Sequence, residues 1–302
     1  MHNPIGSMFD GLLEQIRSGS PKALARSISL VENEVDGYEN FLQSLPSSST
    51  PIIGITGPPG AGKSTLVDGL IMEWTAQGKK VGILCVDPSS PFNLGALLGD
   101  RIRMSDWYNN PQVFIRSLAT RGSLGGLHPK IIEISDVMKV APFDFIIVET
   151  VGVGQSEIEI AGLADCTIVV TVPEGGDEIQ TMKAGLMEIA DIFVVNKADR
   201  PDADLFVRNL RLMLAPAFSA KTNEIPIVKT IASRKEGITE LIEKIGHHLS
   251  YDLTNERKHW LMAEKAYHLL QNKKMKGVTK AEIKNEIENM TNFNLYRFIS
   301  SK

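Results

Sequence analysis

The chain has 302 residues, 43% of them hydrophobic and 23% charged, with a net charge of -4. This is the composition of a globular protein, and a mildly acidic balance without a lysine and arginine block argues against a nucleic-acid partner. Two cysteines, Cys85 and Cys166, both inside apolar runs, are too few for a disulfide framework and fit a reducing, cytoplasmic setting.

Along the chain, residues 8–44 place Leu12, Leu13 and Ile16, then Leu24, Ile28, Leu30 and Val31, at helical spacing. The stretch SLPSSSTP (44–51) reads as a linker. Strands are then expected at 51–56, 81–86, 113–117, 143–149, 166–172, 192–196 and 226–231, where short apolar runs are rich in β-branched residues. Helical patterns lie near 64–77, 129–140, 178–189 and 203–214, and the pattern is helical from about 236 to the end. No apolar run approaches the ~20 residues of a membrane helix, and residues 1–20 lack a signal-peptide pattern, so no membrane partner is expected. Alternating strands and helices predict an α/β fold with a mostly parallel central sheet and helices on both faces. We divide the chain into a helical N-terminal extension (1–47), a P-loop domain (48–250) and a helical C-terminal extension (251–302). In such sheets ligands bind at the carboxyl ends of the strands, so the chemistry is sought in the turns that follow them.

The first such turn is GPPGAGKST: Gly57, Pro58, Pro59, Gly60, Ala61, Gly62, Lys63, Ser64 and Thr65. It fits G-x-x-x-x-G-K-S between an expected strand and an expected helix. Glycines let the backbone wrap phosphate oxygens with its N–H groups pointing inward, and the helix start adds partial positive charge. Lys63 is assigned to the β and γ phosphates, and the Ser64 hydroxyl to Mg²⁺, which takes oxygen ligands.

NKAD (196–199) closes another expected strand. The Asp199 carboxylate is suited to accept from the guanine ring N–H and exocyclic amine, a pair that adenine lacks. Asn196 suits the other edge, and the Lys197 stem can lie along the ring. A hydrogen bond to a charged group contributes about 1.5–3 kcal/mol, enough for a tenfold preference per bond. Ile231, Ala232 and Ser233, after the last strand, are placed over the base. Glu149 ends the strand in FDFIIVETVGVGQSE, with Gly152 three residues on. The acid is assigned to a magnesium-bound water and the Gly152 N–H to the γ-phosphate. Asp87 in VDPSSPF and Asp100 in LLGDRIRM are further candidates for the metal shell.

The combination GPPGAGKST, VDPSSPF, LGDRIRM, RSLATRGSLGGL, FDFIIVETVGVGQSE and EGGDEIQTMKAGLMEIADIFVVNKAD resembles the GTPases associated with methylmalonyl-CoA mutase, the MeaB-like family once grouped with arginine/ornithine transport kinases. The resemblance spans roughly residues 8–250. It implies a chaperone that binds an adenosylcobalamin-dependent acyl-CoA mutase and uses GTP to gate cofactor loading and protect the mutase, with cobalamin entering only through that partner. The family's mobile segments map onto Asp87 to Asp100, Glu149 to Glu157 and Glu174 to Met187, the last containing Asp177 and Lys183 as a pair expected to reorganise. No glutamine directly follows Gly152, and Gln155 lies three residues further on, which suggests slow turnover raised by a partner. HWLMAEKAYHLL (259–270) offers an apolar helix face to pair two chains in a homodimer or to pack on its own domain. Two alternatives compete. A nickel-type metallochaperone GTPase would want cysteine and histidine ligands near the switches, yet both cysteines read as buried and the six histidines are scattered or adjacent. A transport-linked protein kinase would transfer phosphate to a protein hydroxyl.

Overall fold

The computed structural model describes residues 9–87, 104–120, 127–150, 159–173, 184–218, 224–251, 255–275, 277–290 and 293–301. Two compact units divide the chain, residues 1–257 and 258–302.

The first unit is built on a sheet of seven strands: β1 (Ile52–Thr56), β2 (Val81–Asp87), β3 (Val113–Ala119), β4 (Phe145–Glu149), β5 (Cys166–Thr171), β6 (Ile192–Asn196) and β7 (Ile227–Thr230). Their order is β3-β2-β4-β1-β5-β6-β7, and every pairing is parallel. The helices are α1 (Leu12–Arg17), α2 (Pro21–Glu32), α3 (Tyr38–Gln43), α4 (Lys63–Ala76), α5 (Ile131–Met138), α6 (Ala184–Ile189), α7 (Ala203–Phe218) and α8 (Ile238–Tyr251), followed by α9 (Asn255–Lys274), α10 (Lys280–Glu288) and α11 (Leu295–Ser300).

Strand side chains alternate between two apolar layers, which is why the runs read as continuously hydrophobic. Ile53 and Ile55 of β1, Ile83 of β2 and Ile168 and Val170 of β5 pack with α4 and α8. On the opposite face, Ile52, Leu84, Ile146 and Val148 meet α1, α2, α3 and α5, while Val169, Phe193 and Val195 meet α6 and α7. Helix α4 buries Leu66, Val67, Leu70, Ile71 and Trp74, each contributing about 1.5–3 kcal/mol of apolar burial. Trp74 also stacks on Phe145 at 4.4 Å between ring centroids. The region expected to be helical over 8–44 forms the three helices α1, α2 and α3. Ser20 restarts the chain there, its hydroxyl accepting from Ala23 N–H at 3.3 Å ahead of Pro21. Arg116 of β3 ties α2 to the sheet, its Nη2 donating to Glu32 Oε2 at 2.8 Å and to Ser29 Oγ at 3.1 Å.

The amino end of the sheet is closed by a device used three times. Asp144, Asp165 and Asp191 each stand immediately before a strand. Their carboxylates accept the backbone N–H of Lys80, Ile52 and Thr167, each at 2.8 Å. Their own N–H groups donate back to the carbonyls of those same residues at 2.8, 2.8 and 2.9 Å. Burial by itself would raise the Asp144 carboxyl, but the Lys80 N–H and the Lys79 ammonium outweigh it and hold the group below the usual carboxylate range.

In the second unit, Thr279 and Glu282 form a reciprocal capping box at the start of α10. Phe298 of α11 is buried against Phe293, with ring centroids 5.9 Å apart. Among the described residues, no helix is long and apolar enough to cross a membrane.

Candidate nucleotide-binding site

The phosphate loop leaves β1 and enters α4 at Lys63. Two of its glycines are dictated by shape. A Cβ on Gly57 (φ 138°) would overlap the Val170 carbonyl, and one on Gly62 (φ 90°) would overlap the Asn196 amide. Lys63 is buried, and its Nζ donates to the carbonyls of Gly57 and Pro58 at 2.8 and 3.1 Å. The ammonium therefore lies inside the loop it is assigned to serve. A phosphate oxygen entering the loop would exchange with those two acceptors.

The Ser64 hydroxyl donates to Glu149 Oε1 at 2.7 Å, although the two residues come from α4 and from the end of β4. Glu149 is buried. A hydroxyl and a carboxylate side by side are hard oxygen donors, the set that suits Mg²⁺. The backbone places Asp87 at the end of β2, next to β4 in the sheet, where Cys85 pairs with Glu149. Gly152, Asp100, Asp177 and Lys183 lie outside the described residues.

The base-reading residues gather on the other side of the loop. Asn196 ends β6 and is buried. Its Nδ2 donates to the Ala61 carbonyl at 2.8 Å, while its Oδ1 accepts from Thr230 Oγ1 at 3.0 Å and Ala232 N–H at 3.1 Å. One side chain thus pins together the phosphate loop, the β6 turn and the β7 turn. The NKAD turn leaves β6 with Lys197 in the left-handed region (φ 57°), closed by Ala198 N–H donating to the Thr230 carbonyl at 3.0 Å. A cavity of about 260 Å³ lies here. Gly62 and Thr65 line it from the phosphate loop, Asn196, Lys197, Asp199 and Arg200 from the β6 turn, and Ile231, Ala232 and Ser233 from the β7 turn.

Every described residue of the expected base pocket therefore lines one cavity with Gly62 and Thr65 of the loop that starts at Gly57. The sequence reading missed Arg200 and Arg234. Arg200 follows the NKAD motif directly and lines the cavity. Arg234 Nη2 stands 3.5 Å from Asp199 Oδ2, both groups well exposed, and holds the carboxylate assigned to guanine.

With the site described, comparison with known proteins is informative. The family model for the methylmalonyl-CoA mutase-associated GTPase MeaB matches residues 24–287. The chain is 49% identical over 252 residues to a Pyrococcus abyssi relative that its name classes as a GTPase, covering 81% of this chain and 77% of that one. It is 36% identical over 237 residues to the fused isobutyryl-CoA mutase of Geobacillus kaustophilus, covering 74% of this chain and 22% of that protein. Among solved structures, the crystal structure of an LAO/AO transport system kinase superposes with a TM-score of 0.66 at 26% identity, covering 93% of this chain and 86% of that one.

Proposed function

This chain belongs to the methylmalonyl-CoA mutase-associated GTPase family, and on that premise we propose that its GTP hydrolysis gates cofactor loading and protects an adenosylcobalamin-dependent acyl-CoA mutase. The observation that carries the nucleotide half of this reading is the Asn196 bridge. It joins the anion loop to the carboxylate turn, so one nucleotide spans both. The mutase half rests on the family and on the likeness to a stretch of the fused isobutyryl-CoA mutase.

In this reading Lys63 and the loop amides hold the triphosphate and stabilise charge on the transferring phosphoryl group as water attacks. Ser64 and Glu149 would hold Mg²⁺, with Asp87 and Asp100 as further candidates for the metal; bound there, the ion would supply positive charge against the phosphates. Asp199 selects guanine, Asn196 and Lys197 frame it, and residues 231–233 cover it. The Gly152 amide is assigned to the γ-phosphate. Asp177 and Lys183 are assigned to the segment that reorganises when nucleotide or mutase binds. Both cysteines are buried and neither is in a disulfide, which supports a cytoplasmic setting. The exposed Trp260, Met262, Tyr267 and Leu270 of α9 support pairing of two chains.

The test is single-turnover GTP hydrolysis with and without a purified adenosylcobalamin-dependent mutase, methylmalonyl-CoA mutase first and isobutyryl-CoA mutase second. Nucleotide-dependent binding and a faster rate with one of them is expected. A fast rate indifferent to both overturns the partner assignment. Labelled γ-phosphate should appear as free phosphate; label on protein would favour the transport-kinase reading instead.

A further inference from the structure

The amino end of the sheet gathers a set of metal-ligating side chains that the nucleotide chemistry does not use. Cys166 opens β5, Asp191 immediately precedes β6, and His248 lies in the last turn of α8. A thiol sulfur, a carboxylate oxygen and a ring nitrogen from these three residues all lie within 4.8 Å of one another. His248 Nε2 is 3.7 Å from Asp191 Oδ2. Ligand atoms around a tetrahedral zinc ion, with bonds of about 2.0–2.3 Å, sit roughly 3.3–3.6 Å apart. The His–Asp edge is therefore nearly of that size, and the widest edge must close by about 1 Å, which side-chain rotation supplies.

The surroundings favour an ion over mere packing. Cys166 is fully buried, while the side chains of Asp191 and His248 are 6% and 12% exposed, so the group sits just beneath the surface. The Asp191 carboxylate is already oriented by the Thr167 N–H, and the Asp165 carbonyl oxygen lies 3.2 Å from His248 Nε2. The backbone clamp behind the carboxylate is the kind of outer contact that holds a ligand in place. The carbonyl contact engages the same ring nitrogen that faces Asp191, and His248 gives it up when that nitrogen binds the ion. Sulfur, nitrogen and one oxygen select a borderline-soft ion such as Zn²⁺, whereas Mg²⁺ takes oxygens.

We propose that Cys166, Asp191 and His248 form a zinc-type site that staples α8 to the starts of β5 and β6. The site is separate from the nucleotide. Gly57 packs on Val170, four residues further along β5 than Cys166, or roughly 13 Å at a strand's rise per residue. It therefore does not revive the metallochaperone alternative, which needs ligands near the switches. The proposal is also independent of the mutase reading.

The test uses the full chain, stripped with a chelator and kept free of nucleotide and Mg²⁺. It is titrated with Zn²⁺ against a chromophoric competitor, and with Co²⁺ to read sulfur-to-cobalt charge transfer. We expect one Zn²⁺ per chain and a charge-transfer band. Cys166→Ser should abolish the band and weaken Zn²⁺ by roughly 100-fold or more, and His248→Gln should weaken it by at least about tenfold. Because a change at buried Cys166 can impair folding, His248→Gln decides: it should melt like the metal-free native chain and lose the zinc-induced rise in Tm. Substoichiometric uptake by the native chain, or one-to-one uptake that survives His248→Gln unchanged, overturns the site.

Discussion

The two ends of the parallel sheet solve opposite problems. At the amino end, three aspartates turn back on the neighbouring strand and bond N–H and carbonyl groups at its start, so backbone polarity there is closed within the protein. At the carboxyl end, the chain runs out into a glycine loop wrapped around the Lys63 ammonium and into turns that share one cavity. The first arrangement stabilises; the second brings three turns around a space that an anion and a base can enter. Asn196 frames the carboxyl end, a side chain with three internal partners in the phosphate loop and the β7 turn.

Substitutions should sort by end. The largest effect is expected from Lys63→Ala, which removes the charge inside the loop; single-turnover phosphate release should fall by about 10²–10³-fold or more. Asp199→Asn exchanges an acceptor for a donor; GTP affinity, read by calorimetry, should drop roughly 10- to 150-fold while XTP gains. Asn196→Ala leaves buried partners unsatisfied and should cost about 1–3 kcal/mol in denaturant unfolding, besides weakening GTP. Asp144→Asn, at the amino end, should leave GTP affinity unchanged. Its stability cost should stay below about 1 kcal/mol, because the Lys79 pair is partly exposed and screened. Its signature is pH dependence. The folded carboxyl is held low, so its stabilisation is fully present above the unfolded value of about 3.9 and is lost as pH falls through the lower folded value. The variant's melting curve should lack that acid-side loss. If Asp144→Asn alters GTP binding as much as Asp199→Asn does, the division between ends fails.

What the sequence reveals follows the same division. All seven strands are readable: the five inner strands are buried on both faces and show as apolar runs, and the edge strands β3 and β7, though partly exposed, keep short β-branched or aromatic apolar runs. The run 143–149 begins as β4 only at Phe145, since Asp144 is occupied with Lys80. The phosphate loop and the NKAD turn are legible because one ligand group is read by neighbouring residues. The Asn196 bridge to Ala61, the Arg234 contact with Asp199 and the Cys166–Asp191–His248 group join residues far apart in the chain, and no local spacing encodes them. A weaker signal was present for the clamps: an aspartate stands just ahead of FIIVE, CTIVVT and IFVVN. Cys166, read as buried, and His248, one of the histidines read as scattered or adjacent, are brought together by the packing of α8 on β5.

The central claim is that one nucleotide has its phosphates in the turn ending at Ser64 and its purine chosen by the carboxylate of residue 199. It is tested most directly by equilibrium binding of non-hydrolysable GTP and ATP analogues to the native chain in Mg²⁺. The account predicts that the guanine analogue binds at least about tenfold more tightly. Equal affinities for the two bases would contradict it.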